Sequence, residues 1–331
     1  GPGLMLRIPG RKVIRRTLRP LRRRFFPGAV VLGYHRVADD PWDPLGLQVR
    51  SRHFAEQIEA LRELRTVISL EELVGRQANG EALNPYAVLT FDDGYRDFAD
   101  TVVPMTRAAG MPVTVFVASG CIDGGFWWEE LTALLAPDVC GQDVLEVSFD
   151  TADKLRFEGI AAPETRRWAV NEIGARLSRA SPAMVEAVLA QVRAWATPGE
   201  PIAPAGVPMS AAELAEVSCD PRVEIGAHTV SHCFLERLDA GHQRAEIAGS
   251  KAALESLCNR PVRVFSYPNG SWSAKTPRIV QGLDFSCACA SMEGSFSRRG
   301  DPFMIPRLWV PDVPGPEFRA WLGQWVAEAA A

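Results

Sequence analysis

The chain has 331 residues, enough for one large barrel or two medium domains. Its 47% hydrophobic and 23% charged content describes a chain that can bury a sizeable core, and no run approaches the roughly 18 apolar residues that span a bilayer. The net charge of −4 conceals an asymmetry, because Arg7 to Arg24 holds nine basic and no acidic residues.

Gly1-Pro2 reads as a cleavage scar, and the basic stretch lacks the apolar centre of a secretory signal. Residues 1–28 are therefore expected to be a scar and a basic arm, with the folded body over 29–331. After Gly28 there are 27 basic and 40 acidic residues, a net −13, so the body offers no basic face and nucleic acid is not expected as a partner. The arm has two readings. One is a solvated tail. The other is a contact with anionic lipid or a membrane partner, because Leu6, Ile8, Val13, Ile14, Leu18 and Leu21 interleave with the charges. Seven cysteines without a CxxC pair argue for reduced, mostly buried thiols. The expected setting is the cytoplasm, at the inner membrane face if the arm engages lipid.

In chain order, Ala29 to Tyr34 predicts a buried strand. Ser51 suits a helix N-cap, and Phe54, Ile58, Leu61 and Leu64 form one apolar stripe, predicting a helix to about Leu64. An extended piece at Val67-Ile68 leads to a helix capped by Ser69, with Glu72 three positions on. Tyr86 to Phe91 reads as a strand, Tyr95 to Ala109 as a helix stopped by Gly110, and Pro112 to Ala118 as a β-branched strand. From about 126 to 218 the rhythm changes to several helices, with a short strand pair around Asp143 to Phe149. This stretch is read as a helical insertion that rims or lids a barrel mouth, with Trp127 and Trp128 as helix-packing anchors in preference to a sugar platform. The alternation then resumes with a strand at Val223-Glu224-Ile225, a helix from His242 to Cys258 and a strand from Val262 to Tyr267. A helix from Ser273 to Gln281 and apolar runs at Phe285 to Ala290 and Met304 to Val310 complete it. About seven strands alternating with helices predict a parallel α/β barrel, and no GxGxxG follows the first strand to suggest a dinucleotide-binding sheet.

Three segments carry chemistry. Leu89-Thr90-Phe91-Asp92-Asp93-Gly94 places two carboxylates where a strand ends, the face on which α/β barrels build active sites. Adjacent carboxylates repel unless a cation or a shared proton compensates; the plain alternative is a turn with Asp93 capping the next helix. Gly226 to His232 follows another strand and carries His228 and His232 at i and i+4, which on a helical turn would face one metal. Phe265-Ser266-Tyr267-Pro268-Asn269-Gly270 follows the next strand as a rigid loop whose backbone N–H groups could face the site.

Together these segments resemble the polysaccharide deacetylases, the NodB-homology fold of carbohydrate esterase family 4. Thr-Phe-Asp-Asp-Gly and the His-Thr-x-x-His pair stand for that family's first two motifs, in the right order. The resemblance covers about Val30 to Val310 and implies a distorted (β/α)7-type barrel with a divalent metal, usually Zn2+, with Co2+ or Ni2+ as alternatives. It makes Asp93, His228 and His232 the metal ligands and Asp92 the general base. It also makes the Asn269 backbone N–H a donor to the oxyanion.

Two departures stand out. The family's usual third motif has an arginine near Ser266, and its C-terminal motif has a histidine acid, whereas no histidine here follows His242. Gly33-Tyr34-His35-Arg36-Val37 is similar to the first strand of permuted members, which include deacetylases of poly-N-acetylglucosamine, and this makes His35 the general acid. Arg307 is the expected replacement for the missing arginine and would pair with Asp92, with Arg36 as competitor. Trp309 would line an acetyl-methyl pocket or pack in the core. The expected substrate is an N-acetylated sugar or polysaccharide. Removal of a formyl or other acyl group from a lipid-linked amino sugar or small amide is the rival activity. A non-catalytic glycan-binding protein is the rival class; a zinc peptidase lacks its His-Glu-x-x-His.

Overall fold

The protein is described by a computed structural model covering residues 28–196 and 202–325, so the basic arm and its expected membrane contact lie outside the described residues, apart from Gly28. Two compact units result. One comprises residues 28–39, Gln48–Ile122 and 209–325, the other Asp40–Leu47, 123–196 and 202–208. The strands are β1 Val30–Tyr34, β2 Arg36–Val37, β3 Gln48–Val49, β4 Thr66–Val67, β5 Tyr86–Phe91, β6 Val113–Val117, β7 Val144–Ser148, β8 Lys154–Glu158, β9 Val223–Ala227, β10 Val264–Ser266, β11 Cys287–Cys289 and β12 Leu308–Trp309.

In the first unit seven strands follow the path β11-β10-β9-β6-β5-β1-β12, all parallel, with β4 added beside β5. β1 and β6 are buried along their whole length, as strands covered on both faces must be. The path closes through backbone bonds outside the named strands. Ile305 donates to the Ala288 carbonyl (2.9 Å) and accepts from the Ala290 N–H (2.8 Å), while β12 continues from it to pair with β1. The barrel is distorted because β4 pairs with the first half of β5 and β6 with the second half.

Strand alternation sorts the side chains into two cores. Val30, Leu32, Leu89 and Phe91 face outward and pack with Phe54, Ile58 and Leu61 of the helix Ser51–Leu64. Leu254 of the helix Ala240–Cys258 and Phe318 of the helix Gly315–Gly323 belong to the same layer. Val31, Val88, Phe116, Val264, Cys287, Cys289 and Ile305 face the barrel interior, with Leu70 and Leu73 of the helix Leu70–Ala78 packed among them. That helix is capped as expected, Ser69 accepting from the Glu72 N–H. Its start also meets a buried carboxylate: Glu224 accepts from the Leu70 and Glu71 N–H groups (3.0 Å each) and from the Thr114 hydroxyl (2.6 Å).

Some boundaries differ from expectation. The cap of the helix Ser51–Leu64 is Arg50, which makes no side-chain cap bond; the Ser51 N–H is taken by Asp39 Oδ1 instead (3.2 Å). The helix expected over Tyr95 to Ala109 begins as a wide π turn, Phe98–Val102, before the α-helix Val103–Ala108, with Pro104 at the change. Proline lacks an N–H for the regular ladder, which accounts for the irregular turn there.

The second unit has its own core. The antiparallel pair β7–β8 packs Leu145, Val147 and Phe157 against Leu131, Ile173 and Leu189 from the helices Trp127–Leu134, Pro163–Leu177 and Pro182–Trp195. Trp128 is buried, stacked on Phe126 at 4.7 Å and met edge-on by Trp127 at 5.5 Å, so it acts as a packing anchor. The helix Ala211–Ser218, with a complete Ser210–Glu213 capping box, belongs to the first unit. Every described cysteine is a free thiol. No helix among the described residues is long and apolar enough to cross a membrane.

Candidate active site

The inward alternation of the strands runs on past their ends and places the chemistry. Val88-Thr90-Asp92 on β5, Glu224-Gly226-His228 on β9 and Val31-Gly33-His35 on β1 each step by two residues onto the same side. Asp93 then departs from the strand with φ +73, followed by Gly94 at +88 in a tight turn closed by the Gly94 N–H to the Asp92 carbonyl (3.0 Å).

The two histidines do not sit on a helical turn. Residues 228–232 form an irregular loop in which Thr229 (φ +64) and His232 (φ +56) are left-handed. Each such residue costs about 1–3 kcal/mol, and the loop pays for convergence rather than for a helix: both Nε2 atoms approach one oxygen, Asp93 Oδ1, at 3.5 Å from His228 and 3.2 Å from His232. The ligand atoms of Asp93, His228 and His232 all lie within 4.8 Å of one another.

These groups fit a divalent cation on three grounds. Asp93 Oδ1 is buried and accepts no hydrogen bond. His228 Nδ1 lies 2.8 Å from the Ser266 carbonyl, an acceptor only, so the neutral ring carries its proton there and presents the Nε2 lone pair to the cluster. Two imidazoles and one carboxylate are also the donor set of catalytic zinc sites that keep a position open.

Behind the cluster lies a charge pair. Arg307, fully buried, donates to both Asp92 oxygens (2.6 and 2.8 Å), to Ser266 Oγ (2.9 Å) and to Thr90 Oγ1 (3.3 Å). Its guanidinium carbon lies 5.6 Å from the Phe116 ring and 4.7 Å from the Trp309 ring. Glycines make room for both rings, since a Cβ on Gly226 would meet Phe116 at 2.4 Å and one on Gly33 would meet Trp309 at 2.9 Å. Arg36, the competing candidate, is turned to Asp97 (2.6 Å) and the Tyr95 ring.

Burial pushes both aspartates up, yet both end below the ordinary carboxylate range. Arg307 and His228 reverse the effect for Asp92; His232 and His228 do so more strongly for Asp93. Burial lowers His228, but Asp92 and Asp93 outweigh it and its pKa is raised. For His35 burial wins and the pKa is lowered, although Asp93 and Asp92 pull the other way. The His35 ring is stacked on Trp309 at 4.7 Å and 14°. Asn269 is exposed, in the turn Pro268–Gly270 that follows β10, at φ +55.

The structure thus gathers Asp92, Asp93, His228, His232, His35 and Arg307, and places Asn269 on the loop leaving the adjacent strand. Sequence reasoning missed Ser266 and Thr90 as partners of Arg307, and Ser266 as the anchor of His228. The signal was available: Thr90 stands two before Asp92 on one strand, so it had to share the inward face.

The profile of the family described as Polysaccharide deacetylase matches residues 79–201 and 205–288. YxkH of Bacillus subtilis (strain 168), which bears the name of a polysaccharide deacetylase, is 25% identical over 101 residues, 30% of this chain; the match spans only about a third (36%) of that relative's length. Among solved structures, the Streptococcus pyogenes deacetylase PplD in complex with acetate superimposes with a TM-score of 0.59 at 17% identity, covering 91% of this chain and 99% of that one. IcaB from Ammonifex degensii gives 0.58 at 18%, with 89% and 97% covered. A de-N-acetylase from Aggregatibacter actinomycetemcomitans gives 0.55 at 14%, with 88% and 99% covered. At these identities the superpositions speak for the fold.

Proposed function

Because the chain belongs to the polysaccharide deacetylase family, we propose that it hydrolyses the N-acetyl groups of an N-acetylated sugar or polysaccharide with a divalent metal held by Asp93, His228 and His232. The observation that carries this reading is the convergence of two imidazole Nε2 atoms on an otherwise unbonded buried carboxylate oxygen, beside the arginine-paired Asp92. A bound Zn2+, or Co2+ or Ni2+ in its place, supplies Lewis acidity that polarises the acyl oxygen and makes water acidic at neutral pH.

The remaining steps belong to the chain's own groups. Asp92 is kept ionised by Arg307 and takes the proton of the attacking water. The Asn269 backbone N–H donates to the oxygen that gains negative charge as the carbonyl carbon becomes tetrahedral. His35 gives its proton to the nitrogen of the leaving amine, so acetate and a free amino sugar depart. Burial lowers its pKa, which makes it a ready donor once protonated.

The test combines metal analysis of the purified protein with a panel of acylated amino sugars. Oligomeric N-acetylglucosamine, other acetamido sugars and lipid-linked precursors are offered, and acetate and formate are measured separately. Acetate release that disappears in His228→Ala together with the bound metal is the expected result. Formate release alone selects the rival deacylase reading. Metal binding and saccharide binding with no acyl release select a glycan-binding protein and overturn the proposal.

A further inference from the structure

The loop that carries both histidines is strained at two residues and has no helix or strand to hold it. Its backbone is held from two sides. On one side the carbonyls of Thr229 and Val230 accept from the N–H groups of Ser119 (3.1 Å) and Gly120 (2.8 Å), which follow β6. On the other side a single side chain does the work of a strand. Glu246, on the helix Ala240–Cys258, accepts from the N–H of Val230 (3.0 Å) and of Ser231 (2.9 Å) through Oε2, and from the Ser231 hydroxyl (2.9 Å) through Oε1. Val230 is fitted closely between the same two elements, since a Cβ on Gly120 would meet its carbonyl oxygen at 2.7 Å and one on Gly249 would meet its Cγ2 at 3.2 Å.

We propose that Glu246 is a positioning residue for the metal site, a carboxylate clamp that fixes the loop between His228 and His232 so that both Nε2 atoms reach Asp93 before any ion arrives. The reading rests on the metal site proposed above. Its physical basis is local. Two consecutive N–H groups that point the same way form a small anion-binding concavity, and hydrogen bonds to a carboxylate are about twice as strong as neutral ones. The bonded pair, Val230 and Ser231, lies between the two left-handed residues Thr229 and His232, so releasing it lets the backbone on either side relax to ordinary φ values. His228 is held in addition by the Ser266 carbonyl, which lies outside this loop. The sequence hides this role because Glu246 stands 14 residues beyond His232, on an unremarkable helix.

The test uses Glu246→Ala, Glu246→Asp and Glu246→Gln in the full chain. Zn2+ affinity is read by competition with a chromogenic chelator, and amide hydrogen exchange is followed in the metal-free protein. Gln keeps the length, with one oxygen for the N–H pair and an amide N–H for Ser231 Oγ, but its bonds are neutral and weaker, so its loss of affinity should be clearly smaller than that of Ala or Asp. Ala and Asp should weaken Zn2+ binding by about 10-fold to 100-fold, the range for groups that orient metal ligands, and should lose protection at Val230 and Ser231 while the strands keep theirs. The Asp variant, one methylene shorter, decides the matter if the Ala variant does not fold. Wild-type affinity and protection in Glu246→Asp, or an equal loss in Glu246→Gln, overturns the clamp. If the wild-type chain binds no Zn2+, the metal site itself fails, and exchange at Val230 and Ser231 still decides whether Glu246 holds the loop.

Discussion

Arg307→Met is the most revealing single change, because it removes the countercharge of the proposed base and leaves the volume filled. Arg307 is fully buried and gives Asp92 two short charge-assisted bonds, at 2.6 and 2.8 Å. Removing one partner of a buried ion pair costs about 3–5 kcal/mol. An uncompensated carboxylate escapes that cost by binding a proton, and at about 1.4 kcal/mol per pH unit the Asp92 pKa should climb by roughly 2–4 units. The sign follows from the wild-type direction. Asp92 is now held below its ordinary range, so its ionised form stabilises the fold above the unfolded pKa and that contribution is lost as pH falls. In the variant the carboxyl is raised, and stability instead declines as pH rises through the new value. Acetate release measured between about pH 3 and 9 spans both positions of the base, because the acidic limb of kcat/KM reports the free enzyme's base. That limb should move to higher pH by two or more units, with partial recovery on adding guanidinium ion. An acidic limb that stays at its wild-type position would refute the pairing as the source of the base's ionisation.

Three further outcomes follow from the same geometry. Asp92→Asn should keep the bound metal, since Asp93, His228 and His232 remain, while kcat falls by about 10²-fold to 10⁴-fold; full activity would remove Asp92 from the base role. His35→Ala should lose a similar factor on an N-acetyl substrate but far less on an aryl acetate, whose leaving group needs no proton, and equal losses on both would rule out the acid assignment. Gly33→Ala puts a methyl at 2.9 Å from the Trp309 ring, so the ring must leave its stack on His35. Turnover should drop and stability fall by about 1–3 kcal/mol as for other overpacked sites, and thermal melts with the activity assay check both.

The sequence by itself determined the barrel and the metal-ligand candidates. Parallel strands buried on both faces appear as continuous apolar runs, and Asp92, Asp93 and His228 stand directly after two of them, at Phe91 and Ala227, so the ends of those runs placed these three on one face while the family resemblance supplied their roles. Ser69 as a cap was legible for the same reason, its partner lying three residues away.

Tertiary structure decided what depends on strand order and on loop conformation. The choice of Arg307 over Arg36 involves a bond across 215 residues, set by β12 lying beside β1 and β1 beside β5. The histidine spacing suggested a helical turn, whereas two left-handed residues and the Glu246 carboxylate produce the convergence. Glu224 stands between two apolar residues of its strand, and the barrel turns it inward to receive the start of the helix Leu70–Ala78. Local periodicity records which face of its own element a side chain occupies. It holds no record of which distant element that face will meet, and the partners of buried charges in this site come from there.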